Sequence, residues 1–258
     1  MSLSDKRRKL ASEIIPLPNP DKEFHETWAH TVTDEREYKR HPLNVPHPSR
    51  WVLFGPPGSG KTTVVLNAIA RQDPPFTRIF LIHVDGEYTK EYDRLKTFEK
   101  LDNVPPPSFW EGGEKTAVIV DDVEYKFMDA KQKGYLDRLF GYVSTHKNIT
   151  VYLTAQDGFN VPTCVRRCAD MLVLWKNRDL AMLARLTAGL RAVQLKSVFD
   201  HYKFDVRDSI WFDTTPDSPY PIRINGTINV STDEFDSITL GTIQTEPVID
   251  NADVHSGQ

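Results

Sequence analysis

The eight residues Gly55-Pro56-Pro57-Gly58-Ser59-Gly60-Lys61-Thr62 constrain the fold more than any other part of the chain. An apolar run over 51–54 precedes them and predicts a buried strand; the stretch over 62–70 follows and predicts a helix. The whole fits G-x-x-x-x-G-K-[ST] in the strand–loop–helix setting where that pattern has a mechanism. Glycines let consecutive backbone N–H groups line a hollow with no Cβ in the way. The positive end of the next helix faces the same hollow. A polyphosphate is the anion such a hollow suits. Its cradle is Gly55, Pro56, Pro57, Gly58, Ser59, Gly60, Lys61, Thr62 and Thr63. Lys61 would reach the β and γ phosphates, and the Thr62 hydroxyl would hold Mg²⁺. ATP and Mg²⁺ are the expected ligands.

Beyond the loop, apolar strand signals alternate with helical ones. Strands are predicted over 78–84, 116–120, 149–154 and 171–175, and helices over 88–100, 129–146, 162–168, 178–190 and 193–202. A small hairpin is predicted from 209–213 and 221–225. This alternation implies an α/β fold with a mainly parallel central sheet flanked by helices, the fold class of a P-loop NTPase. Three regions are expected: a basic and charged extension with a short helix over 1–48, the ATPase domain over 49–225, and an acidic, disordered tail over 226–258. The tail carries six acids and no Lys or Arg, and helical periodicity is absent from it.

The strand over 116–120 ends in Asp121-Asp122. Such a strand carries Asp121 to the edge of the sheet beside the phosphate loop, where its carboxylate can hold the metal. Asp122 is the natural group to position or deprotonate the attacking water, with Glu124 as a competitor. Gln156 appears where the strand over 149–154 leaves the core. An amide there would contact the γ-phosphate and the lytic water and report nucleotide state.

The motifs GPPGSGKT, VIVDD and LTAQD…VPTCVRRCADMLVLWK together resemble the FtsK–HerA superfamily of DNA-translocating ATPases, with a RecA/FtsK-like fold. Within it the chain looks most like the genome-packaging ATPases of poxviruses, other large DNA viruses, virophages and polinton-like elements. The likeness covers about residues 50–225. It implies ATP-driven movement of double-stranded DNA into a capsid by a homo-oligomeric ring, a pentamer or hexamer. It also implies a capsid or membrane-associated virion protein as partner. Related proteins place a glutamine after the fourth strand, matching Gln156, and a basic residue in the short helix before the fifth, matching Arg166 or Arg167. Such an arginine is an expected finger or sensor acting across the ring; local pairing with Asp170 is the competing reading. Cellular members carry Asp-Glu where this chain has Asp121-Asp122, which leaves the catalytic base open.

Composition bounds the alternatives. The net charge is −4, but the six acids of the tail turn this into +2 for residues 1–225. No broad basic face follows, so DNA contact must be local. No apolar run reaches the ~20 residues that span a bilayer. The start has no secretory signal core, and Lys6-Arg7-Arg8-Lys9 reads as a nuclear address, a phosphate-touching arm or a solvated tail. Cys164 and Cys168 stand alone, a poor metal site. These features predict an intracellular location, the virus factory or nucleus included. Other classes weighed were a AAA+-type remodelling ATPase with a lid over 178–204, a small-molecule phosphotransferase or GTPase, and a non-catalytic assembly protein. No guanine-reading N-K-x-D occurs, and intact Lys61, Thr62 and Asp121 speak against a non-catalytic role.

Overall fold

A computed structural model describes residues 47–239, apart from 73, 84–89, 96, 123–124, 159–160, 177–194 and 216–217. The extension over 1–48 (save its last two residues), Glu124, the helix expected over 178–190 and the tail beyond 239 lie outside the described residues.

The strands are β1 (Arg50–Phe54), β2 (Arg78–His83), β3 (Glu99–Leu101), β4 (Thr116–Asp121), β5 (Ile149–Ala155), β6 (Met171–Trp175), β7 (Ser209–Asp213), β8 (Ile222–Ile224) and β9 (Ile228–Val230). They form one sheet in the order β3-β2-β4-β5-β1-β6-β7-β8-β9. The first six run parallel, and β7, β8 and β9 add an antiparallel meander at one side. Every residue of β4, β5 and β6 is buried, as expected for strands covered on both faces.

Side-chain alternation divides the core in two. Val52, Phe54, Val118, Val120, Val151 and Leu153 point to one face. There they meet Leu136 of α2 (Ala130–Arg138), Phe140 and Val143 of a π turn (Leu139–Val143), and Val165 of α4 (Thr163–Cys168). The π turn continues into α3 (Ser144–His146), so the single helix expected over 129–146 forms with a break in its middle. The Arg50 guanidinium donates to the Phe140 carbonyl inside that break, at 3.1 Å. Trp51, Leu53, Ile119 and Tyr152 point to the other face, against Val65, Leu66 and Ile69 of α1 (Lys61–Ala70).

Two expectations fail. The charged stretch over 88–100 is not one helix. Its described part is a 3-10 turn (Lys90–Arg94) followed by β3, which pairs with β2. Tyr92 is drawn wholly into the core and Glu99 is tied to Arg78 at 3.0 Å, so tertiary contacts override the local helical charge pattern.

The acidic region is also not disordered from its start. Residues 226–239 form β9 and α6 (Thr232–Thr239), and Val230, Phe235 and Ile238 are buried. The Ser231 hydroxyl accepts from the Glu234 N–H at 3.1 Å, half of a capping box. The Tyr202 hydroxyl donates to Glu234 at 2.6 Å, joining α6 to the chain that follows α5 (Leu195–His201).

Candidate nucleotide site

The parallel order brings the C-terminal ends of β4, β5, β1 and β6 to one edge, where loops gather. β1 runs straight into the phosphate loop. Gly58 and Gly60 sit at φ 72° and 102°, in the left-handed region that a side chain would strain. Gly60 ends the loop as the N-cap of α1 and no side chain caps that helix. Its first N–H groups therefore stay open to an anion.

Lys61 is only 7% exposed. Its ammonium donates to the carbonyls of Gly55 (2.8 Å) and Pro56 (3.1 Å), bracing the loop from within. Burial pulls the ammonium below its ordinary pKa, against the opposing pull of Asp122 and Asp121.

The acids at the end of β4 are held by β5. The Thr154 hydroxyl donates to Asp121 Oδ1 at 2.6 Å and accepts from the Asp122 N–H at 3.0 Å. Asp122 itself sits at φ 47°, a strained conformation that its neighbours fix. Gln156 donates from Nε2 to Asp122 Oδ2 at 2.8 Å. One polar chain thus runs Asp121–Thr154–Asp122–Gln156 across two strands. A cavity of about 550 Å³ opens over it, lined among others by Lys61, Thr62, Asp121, Asp122 and Gln156.

The cavity also takes residues that pattern reading passed over. Glu91 and Arg207 line it, from the 3-10 turn after β2 and from the loop before β7. Trp175, at the end of β6, lines it as well and donates from its indole to the Arg207 carbonyl at 3.1 Å. Tyr92 is fully buried, and its hydroxyl lies beside Asp121 and Thr62 without a hydrogen bond of good geometry. Burial first, and Asp121 second, push its phenol well above its ordinary value. Thr154 had a visible signal, a hydroxyl at the end of an apolar strand. Glu91, Tyr92 and Arg207 had none, because chain folding alone brings them there.

Arg166 and Arg167 do not line this cavity. They ride on α4, which leads away from the site to Asp170, whose N–H donates to the Arg50 carbonyl at the start of β1. Asp170 is engaged by Arg50, through the guanidinium (2.9 Å to each carboxylate oxygen) and the N–H (2.8 Å). Arg166 donates to the Thr163 hydroxyl at 3.1 Å. Cys164 donates to Asp137 at 2.9 Å, and burial pushes its thiol up to about 12.

Among the described residues no cluster of three His, Cys, Asp or Glu could hold a metal. Mg²⁺ does not require one, since it is held by one or two protein oxygens with water and substrate phosphates. Thr62 and Asp121, with the buried, unpartnered Tyr92 hydroxyl beside them, fit that requirement.

Fold and phosphate loop together are those of a P-loop NTPase, with a mainly parallel central sheet flanked by helices. No protein-family model matches the sequence, and no curated protein matches it. Solved structures do. The genome packaging NTPase B204 from Sulfolobus turreted icosahedral virus 2, in complex with ATP-gammaS, is 16% identical, covering 69% of this chain and 96% of its own, with a TM-score of 0.50. The pCW3 conjugation coupling protein TcpA, also with ATPgS, is 11% identical over 76% of this chain and 65% of its own, with a TM-score of 0.49. The cytoplasmic domain of the Thermomonospora curvata type VII secretion ATPase EccC is 11% identical over 77% and 28%, with a TM-score of 0.46. At such identities the likeness is one of fold.

Proposed function

We propose that this chain hydrolyses ATP with Mg²⁺ and uses the energy to translocate double-stranded DNA, in the packaging of a viral genome. The observation that carries the reading is the polar chain Asp121–Thr154–Asp122–Gln156 under the phosphate-loop cavity. It gives the site an acid for the metal, an acid for the water and an amide that senses both. The viral B204 structure, a genome packaging NTPase bound to ATP-gammaS, supports the choice of substrate and task.

Lys61 turns from the Gly55 and Pro56 carbonyls to the β and γ phosphates and stabilises charge as the phosphoryl group transfers. Thr62 and Asp121 would hold Mg²⁺, which would supply positive charge against that of the phosphates. Thr154 fixes the Asp121 carboxylate through Oδ1 at the edge of the cavity. Asp122 orients the water in line and takes its proton, while Gln156 holds the Asp122 carboxylate in place. Glu91, a further carboxylate among the described residues of the cavity, is an alternative acceptor, as is Glu124.

Asp122 and Glu91 are separable. Asp122→Asn is expected to lower kcat by ~10²-fold or more with nucleotide affinity kept, and Glu91→Gln to change kcat far less. Single-turnover hydrolysis and fluorescent-nucleotide titration on both variants decide. The reverse ranking would move the base to Glu91.

A translocase must hold the duplex while one subunit resets, so the working form is a ring. Arg166 and Arg167, away from the cavity of their own chain, would act at a neighbour's γ-phosphate. An arginine supplied in trans contributes ~10³-fold or more. In mixed rings, Arg166→Ala or Arg167→Ala subunits combined with Lys61→Ala subunits are expected to regain hydrolysis, read as phosphate release against subunit ratio. Demonstrably mixed rings without recovery would return both arginines to a structural role.

Beyond α5 the described chain returns to the sheet as β7, β8 and β9. The deciding experiment measures ATP hydrolysis with and without double-stranded DNA alongside oligomer mass. Stimulation by duplex in an assembled ring is expected. A monomer indifferent to DNA would sink the translocase reading.

A further inference from the structure

The chain as a whole is acidic, and its described surface still holds one segment with the opposite character. Residues 125–133 leave the C-terminal edge of β4 three residues after Asp122. They form a 3-10 turn (Tyr125–Phe127) and the start of α2. Phe127 is 77% exposed, the most of the large hydrophobic side chains described. Lys126 lies 4.7 Å from the Phe127 ring centre, Lys133 5.3 Å from that of Tyr125, and Lys131 5.8 Å from that of Tyr135. Among the described residues, Asp129 caps α2 by accepting from the Gln132 N–H at 2.7 Å, and Asp137 accepts from Cys164 and, at 3.5 Å, from the Tyr125 hydroxyl.

Three lysines interleaved with aromatic rings, one of them fully presented to solvent, answer the chemistry of a nucleic-acid backbone: phosphates for the ammonium groups, sugar edges for the ring. What sets this segment apart is the combination: an exposed ring with a lysine over it, and two further lysines over neighbouring rings, all between residues 125 and 135.

We propose that residues 125–133 are the duplex-contacting surface of this ATPase, with Lys126, Lys131 and Lys133 on phosphates and Phe127 against the sugar edge. This rests on the translocase reading. The segment follows directly from Asp122, which Gln156 and Thr154 hold in a left-handed conformation. Contacts of this kind carry no base information, so binding is indifferent to sequence.

The test is fluorescence anisotropy of the assembled protein with a 30-bp duplex of arbitrary sequence, at several salt concentrations. Lys126→Ala/Lys131→Ala/Lys133→Ala is expected to weaken duplex binding ~10–100-fold and to lower the salt slope by roughly 2–3, about 0.9 for each phosphate no longer neutralised. ATP affinity without DNA is expected to stay as in the parent, and stimulation of hydrolysis by duplex to disappear. The triple Lys→Arg variant is expected to retain both, which excludes misfolding as the cause. Phe127→Ala is expected to weaken binding with the salt slope unchanged. A parent that binds duplex alongside a triple variant of equal affinity and slope would overturn this proposal and leave the translocase reading standing. A triple variant that loses ring mass, while its rings bind duplex as the parent's do, would make the surface a subunit interface and overturn it too. A parent with no duplex affinity would remove the translocase reading itself.

Discussion

Lys61→Ala is expected to lower ATP hydrolysis by ~10³-fold while leaving the protein folded. The two halves of that result have different causes. The ammonium is the buried cation of the cavity floor, and a preorganised charge in a dry site is worth far more than one in water. Removing one such donor costs ~10²–10³-fold in turnover even where the donor is neutral. The fold bears the loss because burial already disfavours the charged form, as the lowered pKa of Lys61 states. What goes with the side chain is two hydrogen bonds to the carbonyls of Gly55 and Pro56, a small part of the stability of a domain of this size. Phosphate release under saturating Mg-ATP reads the first half and thermal unfolding the second. A variant as active as the parent would take the catalytic site away from this loop.

The contrast between Lys61 and its neighbours shows what a sequence makes legible. The phosphate loop, β1, β4, β5 and β6 could be read because their signals are local: glycines where φ is positive, and apolar runs of strand length closed by a polar residue. Asp121, Asp122 and Gln156 could be placed at the same edge because parallel strands carry their last residues there. Glu91, Tyr92 and Arg207 could not. Each reaches the cavity from a loop whose course depends on the β2–β4 pairing or on the antiparallel return of β7, and neither is written in the local pattern. The 88–100 stretch failed for a related reason: a charge-rich segment looks helical until Tyr92 is pulled into the core. Residues 226–239 were different, since their signal was present. Ser231-Thr232-Asp233-Glu234 is a capping box, and Val230, Phe235 and Ile238 supply apolar positions around it. The three acids of the region, Asp233, Glu234 and Asp236, masked that short periodicity.

The burial of those three side chains has a large consequence. A tail without a core would be dispensable, and a chain ending at Asn225 would be as active as the full one. The structure predicts the opposite. Truncation there removes β9 and α6, and with them the buried side chains of Val230, Phe235 and Ile238. Burying each is worth ~1.5–3 kcal/mol, so the loss is about 5–9 kcal/mol. A domain of this size has only ~5–15 kcal/mol in all. The cut also strips β8 of one of its two hydrogen-bonded partners, leaving Ile222 and Ile224 on a free strand edge, a template for aggregation. The shortened protein is therefore expected to be insoluble or unfolded at room temperature and inactive for that reason. A cut after Thr239 keeps all of this packing and is expected to retain hydrolysis. Phe235→Ala in the full chain isolates the packing effect: it is expected to cost ~3–5 kcal/mol in urea unfolding, without altering the KM for ATP of the folded fraction. The ring stands edge-on to Phe212 of β7, 5.8 Å between centres, so the cavity left behind opens into the meander and not into the nucleotide site. A soluble, cooperative and active protein ending at Asn225 would show that the sheet closes without β9 and α6, and would restore the dispensable tail.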